Sequence, residues 1–190
     1  MKSIEDAKRE IESLIPGNKF QKMLGVTTIL TILLEERYRI FPVIVGGFAV
    51  EIYTRSDYTT IDVDLIISDR KVAGDILIQL GFKPEGRHWY HEDLMVSVEI
   101  PNDMLEDADY DKVMELNLSN NQKVFVIGIE DIILDRLRAC IHWKSSSDCE
   151  WGHRMFLIHY DRLDLEYMKR VSHVDNTIKQ LNDWIENLNK

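Results

Sequence analysis

Two aspartates, Asp62 and Asp64, stand two residues apart in TIDVDLIIS, an otherwise apolar run. Side chains alternate across a strand, so both carboxylates point to one face while Ile61, Val63, Leu65 and Ile67 point to the other, into the core. Like charges this close repel, and on an apolar strand they cost stability unless a cation lies between them. Hard oxygen ligands select magnesium or manganese. A second run, LMVSVEI, puts Val96, Val98 and Ile100 on one face and Met95, Ser97 and Glu99 on the other. If the two strands pair side by side, Glu99 joins the aspartates. Three convergent carboxylates are the ligand set of a two-metal phosphoryl-transfer site. The competing reading is an edge strand whose acidic face is merely solvated.

Upstream, FPVIV reads as a short buried strand that ends at Gly46-Gly47, and FAVEIYTR follows as a helix. Glycines there let backbone N–H groups approach a phosphate, and a helix N-terminus favours an anion. A plain strand-to-helix turn accounts for the same two glycines. Together with the carboxylates, however, this turn points to a nucleoside triphosphate (NTP) held with its magnesium ions. The loop GxxxxGK[ST] of the common kinase type is absent from the sequence.

These groups must be positioned by the surrounding elements. Residues 3 to 14 read as a short polar helix stopped by Pro16-Gly17. Residues 19 to 38 carry Phe20, Met23, Leu24, Ile29, Ile32 and Leu33 at helical spacing, the mark of a core-facing helix. RKVAGDILIQLGF predicts a helix closed by Gly81. HWYH and LMVSVEI predict a hairpin joined near Glu92-Asp93; VMELNLS and KVFVI predict another, turning at Asn120-Asn121. After Gly128 the pattern becomes wholly helical: IEDIILDRLRACIHW, DCEWGHRMFLIHY, DLEYMKRVS and DNTIKQLNDWIENL. The expected class is therefore α/β, a small mixed sheet with flanking helices and a helical C-terminal part. The expected division is a core at 1–128 and a helical subdomain at 129–190 packed on it.

The 190 residues suffice for one ordinary domain with a real core. The net charge of -10 repels nucleic acid at long range, so an RNA partner would need a local basic patch. That balance suits a small-molecule or NTP substrate better. The start, MKSIEDAKREIESLIPG, has no apolar h-region, and the longest apolar run, VTTILTILL, is too short to span a bilayer. The expectation is a soluble cytoplasmic protein with no membrane partner.

The sequence VGGFAVEIYTRSDYTTIDVDL resembles the first motif of the DNA polymerase β-like nucleotidyltransferase superfamily: a hydrophobic residue, two small residues, a helix, then Asp-hydrophobic-Asp. Within it the chain is similar to the small prokaryotic proteins called minimal or toxin-type nucleotidyltransferases. Thr60 fits their Thr-x-Asp-x-Asp form, and Glu99 matches the place of the third acid, which is more commonly Asp. GIEDIILDRLRACIHWKSSSD resembles their following helix. On that match Glu130 and Asp131 open the helix, Arg136 stands where a lysine is expected, and Lys144 and Asp148 follow. The likeness spans roughly residues 40 to 165. Fourteen residues separate Gly47 from Asp62, at or slightly beyond the usual gap.

The resemblance implies transfer of a nucleoside monophosphate from an NTP to a hydroxyl or phosphate on RNA, protein or a small molecule. It assigns Asp62, Asp64 and Glu99 to Mg2+ or Mn2+ and Gly46 and Gly47 to the triphosphate. Arg55, Arg136 and Lys144 are the candidate phosphate contacts, and Thr60 joins them as a candidate nucleotide-binding residue. The alternative is a non-catalytic nucleotide-binding or antitoxin-like module on the same fold, and a toxin-type member would have an antitoxin partner. The acceptor, the base preference and the oligomeric state stay open.

Other residues carry two readings each. Two cysteines, Cys140 and Cys149, are too few for a disulfide framework. With His142 and His153 they match no zinc spacing, and buried cysteines beside ordinary histidines are the simpler reading. Trp143, Trp151, Phe156 and Tyr160 suit either a core between helices or a surface that stacks a base. Lys83, Arg87, His88, Trp89 and Tyr90 form a basic and aromatic cluster that either flanks the site or lies on an exposed hairpin. Glu130 and Asp131 charge a helix start whatever else they do.

Overall fold

The computed structural model describes residues 1–188; the last two positions of the 129–190 segment lie outside it. The element order is α1 (Ile4–Ser13), α2 (Lys19–Tyr38), β1 (Val43–Val45), α3 (Gly46–Tyr53), β2 (Asp62–Ile66), α4 (Arg70–Gln79), β3 (Lys83–Glu85), β4 (His88–His91), β5 (Val96–Glu99), β6 (Met114–Asn117), β7 (Lys123–Val126), α5 (Ile129–His142), α6 (Ser146–His159), α7 (Leu165–Val174) and α8 (Ile178–Asn187). The expected α/β class holds.

The strands form one mixed sheet in the order β3-β4-β5-β2-β1-β7-β6. Both expected hairpins are present, β4 with β5 and β6 with β7. Between β2 and β5 the chain makes α4 and two strands, enough for a crossover, so these two strands run parallel. Strand β3 was not expected: KPE is three residues, exposed and contains Pro84, so it has no apolar alternation to reveal it. It survives as an edge strand, where a missing N–H is tolerated.

Alternation sorts the central strands into two faces. Val63 and Leu65 of β2, Ile67 just after it, and Val96 and Val98 of β5 are fully buried, whereas Ile61, expected in the core, precedes the strand and is 76% exposed. Val98 pairs with Trp89 of β4, and Trp89 in turn packs on Gly74 of α4. Helices α2 and α4 therefore cover this face. The capping box of Asn18 and Gln21 starts α2, and its later turns are buried nearly all round, with Val26, Leu30 and Leu34 joining the core beside Met23, Ile29 and Leu33. The opposite face of β2 and β5 carries the half-buried Asp62, Asp64, Ser97 and Glu99.

The helices after β7 pack by aromatic contacts. Phe156 is fully buried and lies 5.7 Å from Trp184 and 5.4 Å from Tyr160 between ring centroids. Trp151 packs on Tyr58 at 5.1 Å. Three of the four aromatics thus belong to packing, and only Trp143, 79% exposed, is free to face a ligand. Glu130 and Asp131, both buried, do more than charge the start of α5. Glu130 accepts the Asp164 N–H at 2.9 Å, and Asp131 accepts the Asp109 N–H at 3.1 Å and the Tyr167 hydroxyl. They tie α5 to α7 and to the loop before β6.

Cys140 and Cys149 are neither zinc ligands nor free thiols: they form a disulfide between α5 and α6, with Cα atoms 4.6 Å apart. Two helices folding back on each other across a tight turn bring positions nine apart together, a proximity that spacing alone does not reveal. Closing so short a loop contributes about 2–3 kcal/mol through the unfolded chain. Reduction, or Cys140→Ser with Cys149→Ser, is expected to lower the urea-unfolding free energy by about that amount while leaving the far-ultraviolet circular dichroism unchanged. An identical urea midpoint with and without reductant would contradict the bridge.

Candidate active site

The parallel register of β2 and β5 builds the site. Asp64 lies opposite Glu99 on one side and opposite Val45, the last residue of β1, on the other. Asp62, two residues earlier, shares that face. The three carboxylates each offer an oxygen within 4.8 Å of the others. Among the described residues this is the one group of three or more acids, histidines or cysteines with metal-binding spacing. The expected adjacency of Glu99 to both aspartates is therefore present.

The two glycines form the first turn of α3, which starts at Gly46 rather than at Phe48. Gly46 has φ +58, and a Cβ there would lie 2.2 Å from Asp64 Oδ2. A side chain at Gly47 would meet Thr60 Oγ1 at 2.7 Å. Both positions thus need glycine so that the aspartate strand and the Thr60 loop can close on the helix. The Gly47 N–H itself bonds to the Asp64 carboxylate. No side chain caps the N-terminus of α3, so its other first-turn N–H groups have no side-chain acceptor from the N-cap residue, Val45.

Thr60 sits inside this arrangement as a positioning residue. Its hydroxyl donates to Asp62 Oδ1 at 3.0 Å, and its N–H donates to Glu51 Oε2 at 3.0 Å. Glu51, in α3 and only 3% exposed, is a site-shaping residue that the sequence reading missed. The available signal was a lone acid in the apolar helix GGFAVEIY.

Basic groups flank the triad on two sides. Arg87 Nη2 lies 3.3 Å from Glu99 Oε1, and His88 Nδ1 lies 3.7 Å from Glu99 Oε2. The basic and aromatic cluster therefore does reach the site, through these two residues, while Trp89 turns into the core. On the other side Arg136 bonds Asp148 Oδ1 at 2.7 Å, and its charge also reaches Asp64. Asp64 is pushed up to about 6, first by burial and then by the charges of Asp62 and Glu99; the Gly47 N–H and Arg136 oppose the shift.

Lys144 and Arg55, the other two candidate phosphate contacts, differ in placement. Lys144 is exposed in the turn between α5 and α6, at φ 54, and makes no ion pair among the described residues. Its neighbour Trp143 instead lines a cavity of about 510 Å3 together with Gly46, Asp64, Glu106 and Asp135. Arg55 is at the far end of α3 from the glycines. An eight-residue helix is about 12 Å long, so a residue beyond its C-terminus is carried away from the triad. Arg55 lines a separate cavity with His159 and Arg162.

No family model matches the sequence, and no curated protein matches it. Two solved structures share the fold. The antibiotic-resistance factor ANT(2'')-Ia aligns with a TM-score of 0.54 at 14% identity, over 86% of this chain and 97% of that one. An antigenic nucleotidyltransferase-like protein from Paracoccidioides brasiliensis aligns with a TM-score of 0.56 at 16% identity, over 94% of this chain and 93% of that one. The chain thus has a nucleotidyltransferase-type fold.

The raised Asp64 sets a pH dependence for the metal-free protein. Below about pH 4 both folded and unfolded chains hold the proton. Between about pH 4 and pH 6 the folded chain keeps a proton that the unfolded chain has released, so stability falls as pH rises through that window. Above it the loss is complete. In EDTA, Asp64→Asn is expected to remove this decline and to raise the melting temperature at pH 7. Superimposable melting curves for the two proteins across the window would contradict the carboxylate repulsion.

Proposed function

We propose that this chain is a metal-dependent nucleotidyltransferase that moves an NMP group from an NTP to an acceptor and releases pyrophosphate. The observation that carries the reading is the convergence of Asp62, Asp64 and Glu99 within 4.8 Å, beside the N-terminus of α3. The donor set fits Mg2+ or Mn2+: three hard oxygens on neighbouring strands, with mutual repulsion that a dication relieves. All three residues would hold the metal. Bound there, it supplies Lewis-acid chemistry, polarising phosphoryl oxygens and lowering the pKa of an attacking hydroxyl.

The chain's own groups do the rest. First-turn N–H groups of α3 hold triphosphate oxygens, aided by the positive end of the helix dipole. Arg136, anchored by Asp148, adds a fixed positive charge beside Asp64. Arg87 and His88 lie against Glu99, and the proposal gives that acid the service of the acceptor. Trp143 offers an exposed ring to a base or an acceptor at the cavity mouth.

The cavity next to the triad supports one class of acceptor. Its walls include Asp64, Glu106 and Asp135, the last paired with Arg136 at 3.6 Å, with apolar Met104 and Trp143, and no lysine, arginine or histidine among the described residues. A polyanionic RNA is repelled from such a wall, whereas a small hydroxyl compound carrying positive charge is attracted. We therefore assign a cationic small-molecule acceptor ahead of RNA or protein. A non-catalytic module or an antitoxin-like partner has no use for the third carboxylate, and no geometric observation favours it.

Incubation with each α-phosphate-labelled NTP, Mg2+ and a panel of hydroxylated amines is expected to transfer label and release pyrophosphate. Glu99→Gln is expected to lower kcat at least a hundredfold while changing NTP affinity less than about threefold. Intact NTP binding without label transfer or pyrophosphate release, for every NTP and acceptor, would overturn the enzyme reading.

A further inference from the structure

Arg55 and Arg162 meet at a second cavity of about 450 Å3, formed where the ends of α3 and α6 approach β6. One side is apolar: Ile52 from α3, Met114 and Leu116 from the edge strand, and Ile158, which is 56% exposed. The acid of that strand, Glu115, is engaged elsewhere, with Lys123 at 3.2 Å. The other side is cationic. Neither arginine has a carboxylate within ion-pair distance among the described residues, although Asp161 also lines the cavity.

The Arg162 guanidinium is held in place, and the backbone brings Arg55 to the same cavity. His159 Nε2 bonds the Tyr53 carbonyl at 2.9 Å, which makes that nitrogen the donor and leaves Nδ1 as an acceptor. Arg162 Nη2 donates to Nδ1 at 2.8 Å, so the ring fixes the arginine while its other N–H groups stay open. The same bond satisfies a carbonyl at the C-terminal end of α3, where a partial negative charge would otherwise oppose an anion. Arg55 and Ser56 both have positive φ, 53 and 69, a conformation that residues with a Cβ adopt at a cost. That turn carries Arg55 to the cavity.

We infer that this cavity binds a phosphate monoester bearing an aromatic or nucleoside group, the phosphate on Arg55 and Arg162 and the ring on the apolar wall. Planar guanidinium groups match phosphate oxygens in a bidentate way that lysine does not. The volume is within the range of small-molecule sites. The assignment is independent of the transferase reading, because the cavity shares no lining residue with the cavity beside the triad.

Calorimetric titration with AMP in EDTA tests it, with inorganic phosphate as the second probe. AMP is expected to bind at least tenfold more tightly than phosphate. Arg55→Ala and Arg162→Ala are each expected to weaken AMP at least tenfold, and Ile158→Trp, which fills the apolar side without altering charge, is expected to do the same. Asp64→Asn is expected to leave AMP affinity unchanged. Unaltered AMP affinity in the folded arginine variants, equal affinity for AMP and phosphate, or loss of binding in Asp64→Asn would each overturn the assignment.

Discussion

The repulsion among Asp62, Asp64 and Glu99 is the constraint around which the rest of the site is arranged. Three carboxylates within 4.8 Å of one another disfavour the metal-free fold, and the surrounding elements hold them there nonetheless. The parallel register of β2 and β5 fixes Asp64 against Glu99. The hydroxyl of Thr60 fixes Asp62, and the first turn of α3 fixes Asp64 through the Gly47 N–H. Arg136 on one side and Arg87 on the other compensate part of the negative charge without inserting a cation between the oxygens.

This arrangement also explains the two glycines more closely than a phosphate-binding turn alone does. The backbone at Gly46 is left-handed, and its missing Cβ is the space that the Asp64 carboxylate occupies. Gly47 makes the same allowance for Thr60. The glycine turn, the threonine and the aspartate pair are one packed unit, so the helix N-terminus and the carboxylates form one continuous surface.

Much of this was legible in the residues. The alternation in TIDVDLIIS and LMVSVEI placed every acid on its correct face, because a buried sheet face tolerates no slip in register. The helical pattern of residues 19 to 38 marked α2 to its end residues. What escaped depends on direction and distance in space. The reading of FAVEIYTR as a helix puts Arg55 in its last turn, whereas α3 ends at Tyr53 and Arg55 lies beyond it, carried away from the triad. The spacing of Cys140 and Cys149 does not reveal that α5 and α6 fold back on each other. The short strand β3 has neither length nor apolar residues to mark it. Glu51 is a lone acid in an apolar helix, a signal that does not say what it binds; its burial and its bond to the Thr60 N–H show that it holds the Thr60 loop.

The central claim is that these three carboxylates are a divalent-metal site facing an NTP. Anomalous diffraction from crystals soaked with Mn2+ and a non-hydrolysable NTP analogue tests it most directly. The account predicts two manganese peaks about 3.5–4 Å apart, within coordination distance of Asp62, Asp64 and Glu99, with the triphosphate at the N-terminus of α3. A triphosphate bound elsewhere, or manganese absent from the three carboxylates, would contradict it.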